Sequence, residues 1–143
     1  MQKILVSACL LGCNCKYNGG NNRTEDVVKL SDEYQLIGFC PEVAGGLKIP
    51  RDPSEIRGEK VVNAKGEDVT EYFKRGAKLA LAKCREENIE IAILKERSPS
   101  CGSEFLYDGT FSGKVVKGRG VTTGLLESCG IRVLSEYNYK EKL

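Results

Sequence analysis

The sequence predicts an α/β fold: a single-domain, Rossmann-like three-layer sandwich with a mainly parallel four-stranded sheet and a small hairpin. The first observation is that four short, β-branched apolar segments alternate with helical segments along the chain. Such alternation implies parallel strands joined by right-handed crossovers, with helices on both faces of the sheet. The second observation is the length of 143 residues, which suits one continuous core and therefore one domain spanning residues 1–143.

The first half of the chain predicts two strands, a short helix and a hairpin. These are a strand at 3–8, a helix at 24–30 with Thr24 as its N-cap, a strand at 34–39 and a hairpin at 60–69. Residues 43–58 contain a Gly-Gly pair and two prolines, which predicts a segment without regular structure. A loop this long in a compact domain is usually functional, so we expect it to cover the site.

The second half predicts the longest helix, two more strands and a second hairpin. In order, these are a helix at 70–88, a strand at 89–95, a hairpin at 105–111 with Asp108-Gly109 in its turn, a helix from 118 that stops near Gly130, a strand at 131–134 and a polar tail at 135–143.

Three of the four strands are followed by a cysteine at the carboxyl end, namely Cys9, Cys40 and Cys101. Pro99 and Gly102 flank the last of them, so Cys101 is expected on a stiff, sharply turning elbow. In open parallel sheets, ligands bind outside the carboxyl ends of the strands, where the strand order reverses. The sequence therefore predicts that the three cysteines meet at this edge.

Composition excludes several classes of function. The formal net charge is only +2 and no run of Lys or Arg is dense, so there is no electrostatic case for nucleic-acid binding. No apolar run approaches the length of a membrane span, so no membrane partner is expected. The N-terminus enters a strand at once, without a signal-peptide pattern, and we therefore expect a cytoplasmic protein.

The chain has seven cysteines and no histidine. An odd number of cysteines in a reducing compartment argues against a disulfide framework and for metal binding or catalysis. Without histidine, thiolates are left as soft ligands, which favours zinc or iron–sulfur. Three thiolates without a fourth suit a 4Fe–4S cluster with one iron not bonded to protein, whereas structural zinc needs four ligands. The alternative is that Cys9, Cys40 and Cys101 are small buried apolar residues.

The other cysteines are expected to play no ligand role. Cys13 and Cys15 are interpreted as bystanders or as residues at the mouth of the site, and Cys84 and Cys129 as core residues.

Two polar residues flank the predicted ligands. Glu42, held two residues after Cys40 by a proline, is a candidate general acid or base, and Ser100 is a candidate hydrogen-bond donor or proton relay. The alternatives are a surface carboxylate for Glu42 and local turn capping for Ser100.

A Gly-x-Gly-x3-Gly pattern at Gly118–Gly124 departs from the dinucleotide fingerprint in spacing and position. We expect Thr122, Thr123 and the N–H groups of this helix start to support the site or an anionic substrate group. Arg51 and Arg97 are interpreted as solvated surface residues, although either could bind an anion.

Four motifs together resemble the thiouracil desulfurase (TudS) family, long known only as a domain of unknown function. They are Ser7-Ala8-Cys9-Leu10-Leu11-Gly12, Cys40-Pro41-Glu42-Val43-x-Gly45-Gly46-Leu47-x2-Pro50-Arg51, Ser98-Pro99-Ser100-Cys101-Gly102 and Gly118-x-Gly120-Val121-Thr122. The resemblance spans nearly the whole chain. One departure is Cys13-Asn14-Cys15-Lys16-Tyr17-Asn18-Gly19, where members read closer to Cys-Arg-Tyr-Asp-Gly.

The resemblance implies a non-redox desulfurase with a 4Fe–4S cluster held by Cys9, Cys40 and Cys101. The iron that the protein does not ligate is implied to take the sulfur of a thiolated pyrimidine, with Glu42 and Ser100 as catalytic residues. Two other classes are kept as alternatives, a non-catalytic iron–sulfur redox or sensor module and a metal-free nucleotide-binding protein. The residues leave open a free base, a nucleoside or tRNA as substrate, and also the oligomeric state.

Overall fold

The computed structural model describes all 143 residues. In chain order the elements are β1 (Lys3–Ser7), α1 (Glu25–Val28), β2 (Gln35–Phe39), α2 (Pro41–Ala44), β3 (Ser54–Arg57), β4 (Lys60–Asn63), α3 (Thr70–Glu87), β5 (Ile91–Leu94), β6 (Phe105–Tyr107), β7 (Val115–Lys117), α4 (Val121–Ser128), β8 (Arg132–Ser135) and α5 (Tyr139–Lys142). Short 3-10 helices cover Ala8–Leu11 and Lys29–Asp32. No helix is both long and apolar enough to cross a lipid bilayer.

The predicted α/β sandwich is confirmed. Four parallel strands form the sheet in the order β2-β1-β5-β8, so the chain reverses its direction of travel across the sheet beside β1. The register pairs Ser7 with Phe39 and Val6 with Ile93, which brings the carboxyl ends of β1, β2 and β5 to one edge. A strand reversal of this kind leaves a crevice at that edge, where open α/β sheets bind their ligands.

Each face of the sheet has its own apolar layer because side chains alternate along a strand. On one face, Leu5 and Ala92 pack with Ala80 of α3 and Leu126 of α4. On the other face, the layer joins Ile4, Val6, Ile93, Val27 of α1, Leu10 and Tyr139 of α5. The tail at 135–143, predicted to be polar, contributes to this second face, because Tyr139 is only 3% exposed.

The segment at 43–58 and the second hairpin differ from the prediction. Strand β3 lies inside the segment predicted to be irregular, and it pairs with β4 across a tight turn at Gly58. The pairing predicted within 60–69 is also present, as an antiparallel bridge between Val62 and Asp68. The second hairpin pairs β6 with β7, so its connection is longer than the Asp-Gly turn predicted there. Gly58 has a φ of 60°, a left-handed conformation that favours glycine and that allows the earlier turn.

Helix α2, which follows Cys40, lies directly against α3. A methyl group at Gly76 would lie 2.0 Å from the carbonyl oxygen of Pro41, and one at Gly45 would lie 2.1 Å from that of Tyr72. Two glycines thus let the backbones of the helices touch, and this contact sets the position of α2 and the residues on it.

Replacing Gly76 with alanine is expected to lower the free energy of unfolding by about 1–3 kcal/mol, because neither backbone can move aside without repacking. Urea unfolding monitored by circular dichroism measures the change. Gly124→Ala is the matched control: this helical glycine has open space around it, so alanine should stabilise by about 0.5–1 kcal/mol. A Gly76→Ala protein as stable as the wild type would contradict the assigned contact.

Candidate active site

A cavity of about 520 Å³ opens at the edge of the sheet where β1, β2 and β5 end. Its wall includes four cysteines and several charged residues, namely Cys9, Cys15, Cys40, Cys101, Lys16, Glu42, Arg51, Glu55, Lys95, Glu96 and Arg97. Four aromatic side chains, Tyr17, Phe39, Tyr107 and Phe111, also line it. The volume lies within the range of small-molecule sites in proteins.

The structure brings Cys9, Cys40 and Cys101 together in this cavity. Cys9 lies in the 3-10 helix after β1, Cys40 is the N-cap residue of α2 directly after β2, and Cys101 follows β5 by seven residues. Burial, with smaller contributions from the charges of Glu42, Cys9 and Cys40, raises the pKa of the Cys101 thiol to about 12. Burial also raises the pKa of Cys9, with a smaller contribution from the Cys40 charge.

Hydrogen bonds hold Cys101 on the expected elbow, residues 98–102. The Ser98 hydroxyl oxygen accepts from the N–H of Ser100 at 3.1 Å and of Cys101 at 3.0 Å, and the Ser98 carbonyl accepts from the N–H of Gly102 at 2.8 Å. The Cys101 carbonyl accepts from the Thr123 hydroxyl at 2.8 Å. The elbow is therefore rigid before any ligand binds.

The first turn of α4 docks onto the back of this elbow. Its N–H groups donate to the elbow carbonyls, Val121 to Pro99 at 2.9 Å and Thr122 to Ser100 at 2.8 Å. A methyl group at Gly120 would lie 2.4 Å from the Ser100 carbonyl, so glycine is required there. This helix start was expected either to support the site or to bind an anionic substrate group. The structure favours support of the site, because these N–H groups already donate to protein carbonyls.

Ser100 lies behind the cavity wall. It is 1% exposed, does not line the cavity, and its hydroxyl is hydrogen-bonded to that of Thr122 at 2.7 Å. The residue that reaches the cavity is Ser98. The direct catalytic role predicted for Ser100 stays a prediction that this arrangement does not support, because the Ser100 side chain faces α4.

Glu42 lies on α2 with its side chain 18% exposed, paired with Arg51 at 3.2 Å. Burial raises the pKa of Glu42, and the Arg51 charge and the Ser98 hydroxyl only partly offset this. The prediction of Arg51 as a solvated surface residue was wrong: its side chain is 10% exposed and also donates to the Cys15 carbonyl at 3.0 Å. Arg97 also lines the cavity, but it is exposed, as the prediction of a solvated surface residue requires. Arg51 and Glu42 are nine residues apart across a segment without helical or strand periodicity, so no local pattern predicts that they pair.

The remaining cysteines divide into three environments. Cys15 is 4% exposed and lies beside Cys40 in the cavity wall, whereas Cys13 is exposed. A hydrogen bond from the Cys15 thiol lowers the pKa of Cys40 to about 7 despite its burial. Cys84 is in the core, as expected, but Cys129 is exposed, because α4 ends there and turns its last residue to solvent.

Sequence reasoning missed Glu96, a carboxylate 3% exposed at the start of the loop that leads to the elbow. One oxygen accepts from the N–H groups of Ser103, Glu104 and Phe105 at 2.9, 3.1 and 3.1 Å, and the other accepts from the Ser103 hydroxyl at 3.1 Å. Burial acts to raise the pKa of Glu96, but these N–H donors together hold it below the usual range. Glu96 closes the loop that contains Cys101.

Replacing Glu96 with glutamine is expected to destabilise the protein by about 1.5–3 kcal/mol at pH 7, the usual range for hydrogen bonds to a charged group. Because the carboxyl pKa is lowered on folding, its stabilisation is complete above the unfolded-state pKa, about 4.3, and is lost as the pH falls through the lower folded-state pKa. The gap between wild type and variant should therefore narrow in acid.

Urea unfolding at pH 7, 4 and 3 measures this narrowing, because the stabilisation is lost only below the unfolded-state pKa. Glu90→Gln, an exposed carboxylate at the other end of β5, is the control and should show no comparable loss. A Glu96→Gln deficit that is the same at every pH would show that the charge of Glu96 is not what holds the loop.

The donor set of the cavity fits an iron–sulfur cluster better than a single ion. No group of three or more His, Cys, Asp or Glu side chains is close enough to hold one metal ion. In a cluster each thiolate binds a different iron, so the ligands stand further apart than those of one zinc ion. The charge of Cys40 raises the pKa of both Cys9 and Cys101, and a cationic iron core would stabilise these groups as thiolates.

The parallel α/β fold and the cavity lined by Cys9, Cys40 and Cys101 indicate a protein that holds an iron–sulfur cluster at the edge of its sheet. The family model for 2-thiouracil desulfurase matches residues 4–138, and the chain therefore belongs to the 2-thiouracil desulfurase family. This confirms the family expected from the motifs. Its structure resembles that of TudS, described as a 4Fe–4S-dependent thiouracil desulfidase, with a TM-score of 0.94 and 48% identity over 99% of this chain and 95% of that one. The uncharacterized protein YbbK of Bacillus subtilis (strain 168) is 50% identical over 143 aligned positions, 93% of this chain and 95% of that protein.

Proposed function

We propose that this chain is a 4Fe–4S-dependent desulfurase that replaces the sulfur of a thiolated pyrimidine with oxygen. The observation that carries the proposal is the convergence of Cys9, Cys40, Cys101 and a half-buried Glu42 on one cavity. Its family and its resemblance to a thiouracil desulfidase of nearly the same fold support an enzyme of this kind. They favour neither a redox module nor a metal-free nucleotide-binding protein.

Cys9, Cys40 and Cys101 would hold the cluster, one from the end of each of three neighbouring strands. When bound, the cluster supplies a soft Lewis acid, an iron without a protein ligand, that matches the sulfur of a thiocarbonyl group. The rigid elbow and the glycine-mediated contact between α2 and α3 keep two of the ligands in place without the cluster. The protein therefore pre-organises the site.

Glu42 is proposed as the general base and acid. Its carboxylate takes a proton from the water that attacks the thiocarbonyl carbon and returns it to the departing sulfur. The raised pKa makes this carboxylate a stronger base than an ordinary glutamate, and Arg51 orients it. We propose that the Ser98 hydroxyl, beside Glu42, takes the hydroxyl role assigned from the sequence to Ser100, while Ser100 supports the elbow through Thr122.

The overall reaction needs no electrons from outside. A thiocarbonyl compound and water become a carbonyl compound and hydrogen sulfide, so the carbon–sulfur bond is replaced by a carbon–oxygen bond. The cavity of about 520 Å³ has room for a pyrimidine base, and we propose a thiouracil-like ring as the recognised part, alone or within a nucleoside or tRNA.

Anaerobic reconstitution with iron and sulfide, followed by a sulfide-release assay, tests the proposal. We expect a brown protein that releases sulfide from 2-thiouracil, or from a thiolated nucleoside or tRNA, without added reductant. An iron-loaded protein that is reduced and reoxidised reversibly but releases sulfide from none of these would favour the redox module. A sample that takes up no iron would favour the metal-free alternative.

We also propose that residues 1–143 work as one domain in a reducing compartment such as the cytoplasm. Strands β1 and β8, from opposite ends of the chain, belong to one sheet, and the cavity wall draws on residues from Ser7 to Gly113. All seven cysteines are free thiols, which a reducing compartment preserves.

A further inference from the structure

A turn far from the cysteines in sequence places an aromatic ring in the same cavity. Residues 108–114, here named the Phe111 turn, connect β6 to β7, and Phe111 lines the cavity. Its φ is 57°, a left-handed conformation that bulky residues rarely adopt and that glycine adopts freely. A phenylalanine held in this way indicates that the ring itself is needed at the position, since residues in strained conformations concentrate at functional sites.

A buried carboxylate on β3 holds the Phe111 turn in this conformation. Glu55 is 9% exposed and accepts from the N–H groups of Gly109 at 2.9 Å and of Phe111 at 3.1 Å. Arg57 on the same strand donates to the Gly109 carbonyl at 2.6 Å. A methyl group at Gly109 would lie 2.7 Å from the Ile56 carbonyl, so the turn packs directly on the β3 backbone.

Hydrogen bonds within the turn also hold its conformation. The Asp108 carboxylate accepts from the N–H of Thr110 at 2.9 Å and from its hydroxyl at 2.6 Å, and the Thr110 hydroxyl is also hydrogen-bonded to Ser112 at 2.6 Å. The ring of Phe111 is thus presented by a backbone fixed on both sides. A ligand that contacts the ring does not have to order the turn first, which preserves binding free energy.

The guanidinium of Arg57 lies 5.5 Å from the centre of the Phe111 ring and covers one of its two faces. A flat ligand would therefore stack on the opposite face, which Arg57 does not cover. The other three aromatic residues of the cavity are held differently. Phe39 packs against the core, Tyr107 is part of β6, and Tyr17 is 39% exposed beside Lys16.

We propose that Phe111 stacks on the pyrimidine ring of the substrate, with Glu55 and Arg57 as the residues that position it. The inference rests on the proposed function and adds a binding residue to it. Stacking on an aromatic side chain stabilises a bound base in the ground state and the transition state alike, so Phe111 should act on KM rather than on kcat.

The test measures binding of uracil and of 5,6-dihydrouracil to the cluster-loaded protein by anaerobic titration calorimetry, together with kcat and KM for 2-thiouracil. Dihydrouracil keeps the polar edge of uracil but lacks the flat aromatic ring. Phe111→Ala is expected to weaken uracil binding by roughly 5- to 100-fold, to raise KM by a similar factor and to leave kcat within about threefold. The preference of the wild type for uracil over dihydrouracil should disappear in the variant.

Three further variants separate stacking from folding. Phe111→Tyr keeps a ring and should bind uracil as the wild type does. Phe105→Ala removes an aromatic ring of the same hairpin that lies outside the cavity wall, and it should change neither constant. Glu55→Ala should raise KM by loosening the turn, whereas Glu55→Gln, which retains an acceptor oxygen, should restore it in part.

The outcomes distinguish this inference from the function on which it rests. A wild type that neither binds uracil nor releases sulfide from 2-thiouracil overturns both. A wild type that does both, with a Phe111→Ala variant that matches it, overturns the stacking role alone. A variant that loses uracil and dihydrouracil by equal factors shows that Phe111 shapes the cavity without stacking, and this also overturns the inference.

Discussion

Replacing Cys9, Cys40 or Cys101 singly with serine is expected to abolish both cluster loading and sulfide release. Serine has nearly the same shape, but its oxygen is a hard and weakly acidic ligand that does not replace a thiolate on iron. Two remaining thiolates leave two of the irons of the cluster without protein ligands. Iron content, the absorbance of the brown protein and anaerobic sulfide release measure the loss.

The other cysteines provide the controls for this experiment. Cys129→Ser and Cys13→Ser change exposed thiols and should leave cluster content unchanged. Cys15→Ser is the stricter comparison, because Cys15 is buried beside Cys40 yet is not proposed as a ligand. If the Cys15 variant lost the cluster while circular dichroism showed an intact fold, the ligand set would have to include the first loop. A Cys101→Ser protein that stayed brown would overturn the assignment of that ligand.

Replacing Glu42 with glutamine is expected to lower kcat by roughly two to four orders of magnitude, the usual contribution of general acid–base catalysis. Glutamine preserves the size of the side chain and an acceptor for Arg51, but it exchanges no proton. Cluster content should therefore survive, and KM should change much less than kcat. Sulfide release by the reconstituted variant, normalised to its iron content, is the measurement.

Three variants sharpen the interpretation of this result. Glu42→Asp retains a carboxyl group on a shorter stem and should recover part of the rate. Ser98→Ala should slow turnover more than Ser100→Ala at equal iron content, since only Ser98 lines the cavity. A Glu42→Gln protein that turns over at nearly the wild-type rate would reduce Glu42 to a structural carboxylate. Loss of the cluster in that variant would instead make Glu42 part of the cluster's support.

The α/β fold could be predicted because its signals are local. β-Branched strands, a long amphipathic helix and glycine at turns each show within a few residues, and the right-handed crossover rule then restricts how the strands assemble. The edge shared by Cys9, Cys40 and Cys101 followed from the same rule, because carboxyl ends of neighbouring parallel strands meet. The positions of β3 and of the second hairpin were missed, because short strands pair through contacts that a single segment does not reveal.

The side chains around the cysteines could not be predicted in the same way. Ser98 and Ser100 are two residues apart on one elbow, and only the docking of α4 decides which hydroxyl faces the cavity and which faces Thr122. Arg51 carries no sign in its own loop that it will be buried against Glu42. Nothing in the local sequence distinguishes Glu96 from a surface glutamate. Its role depends on the folded loop, in which the N–H groups of Ser103 and Phe105 donate to its carboxylate.

By itself, the sequence determined the fold class, the family and the edge of the sheet where three thiols gather, because these depend on periodicity, on chain direction and on short motifs. Only the tertiary structure decided which polar groups reach the cavity and which glycines allow two backbones to touch. It also decided that Phe111 belongs to the site, although its hairpin is distant in sequence from the cysteines. The physical reason is that burial, hydrogen bonding and the pKa of a side chain depend on neighbours brought close by packing, and packing of distant segments leaves no periodic trace in the chain.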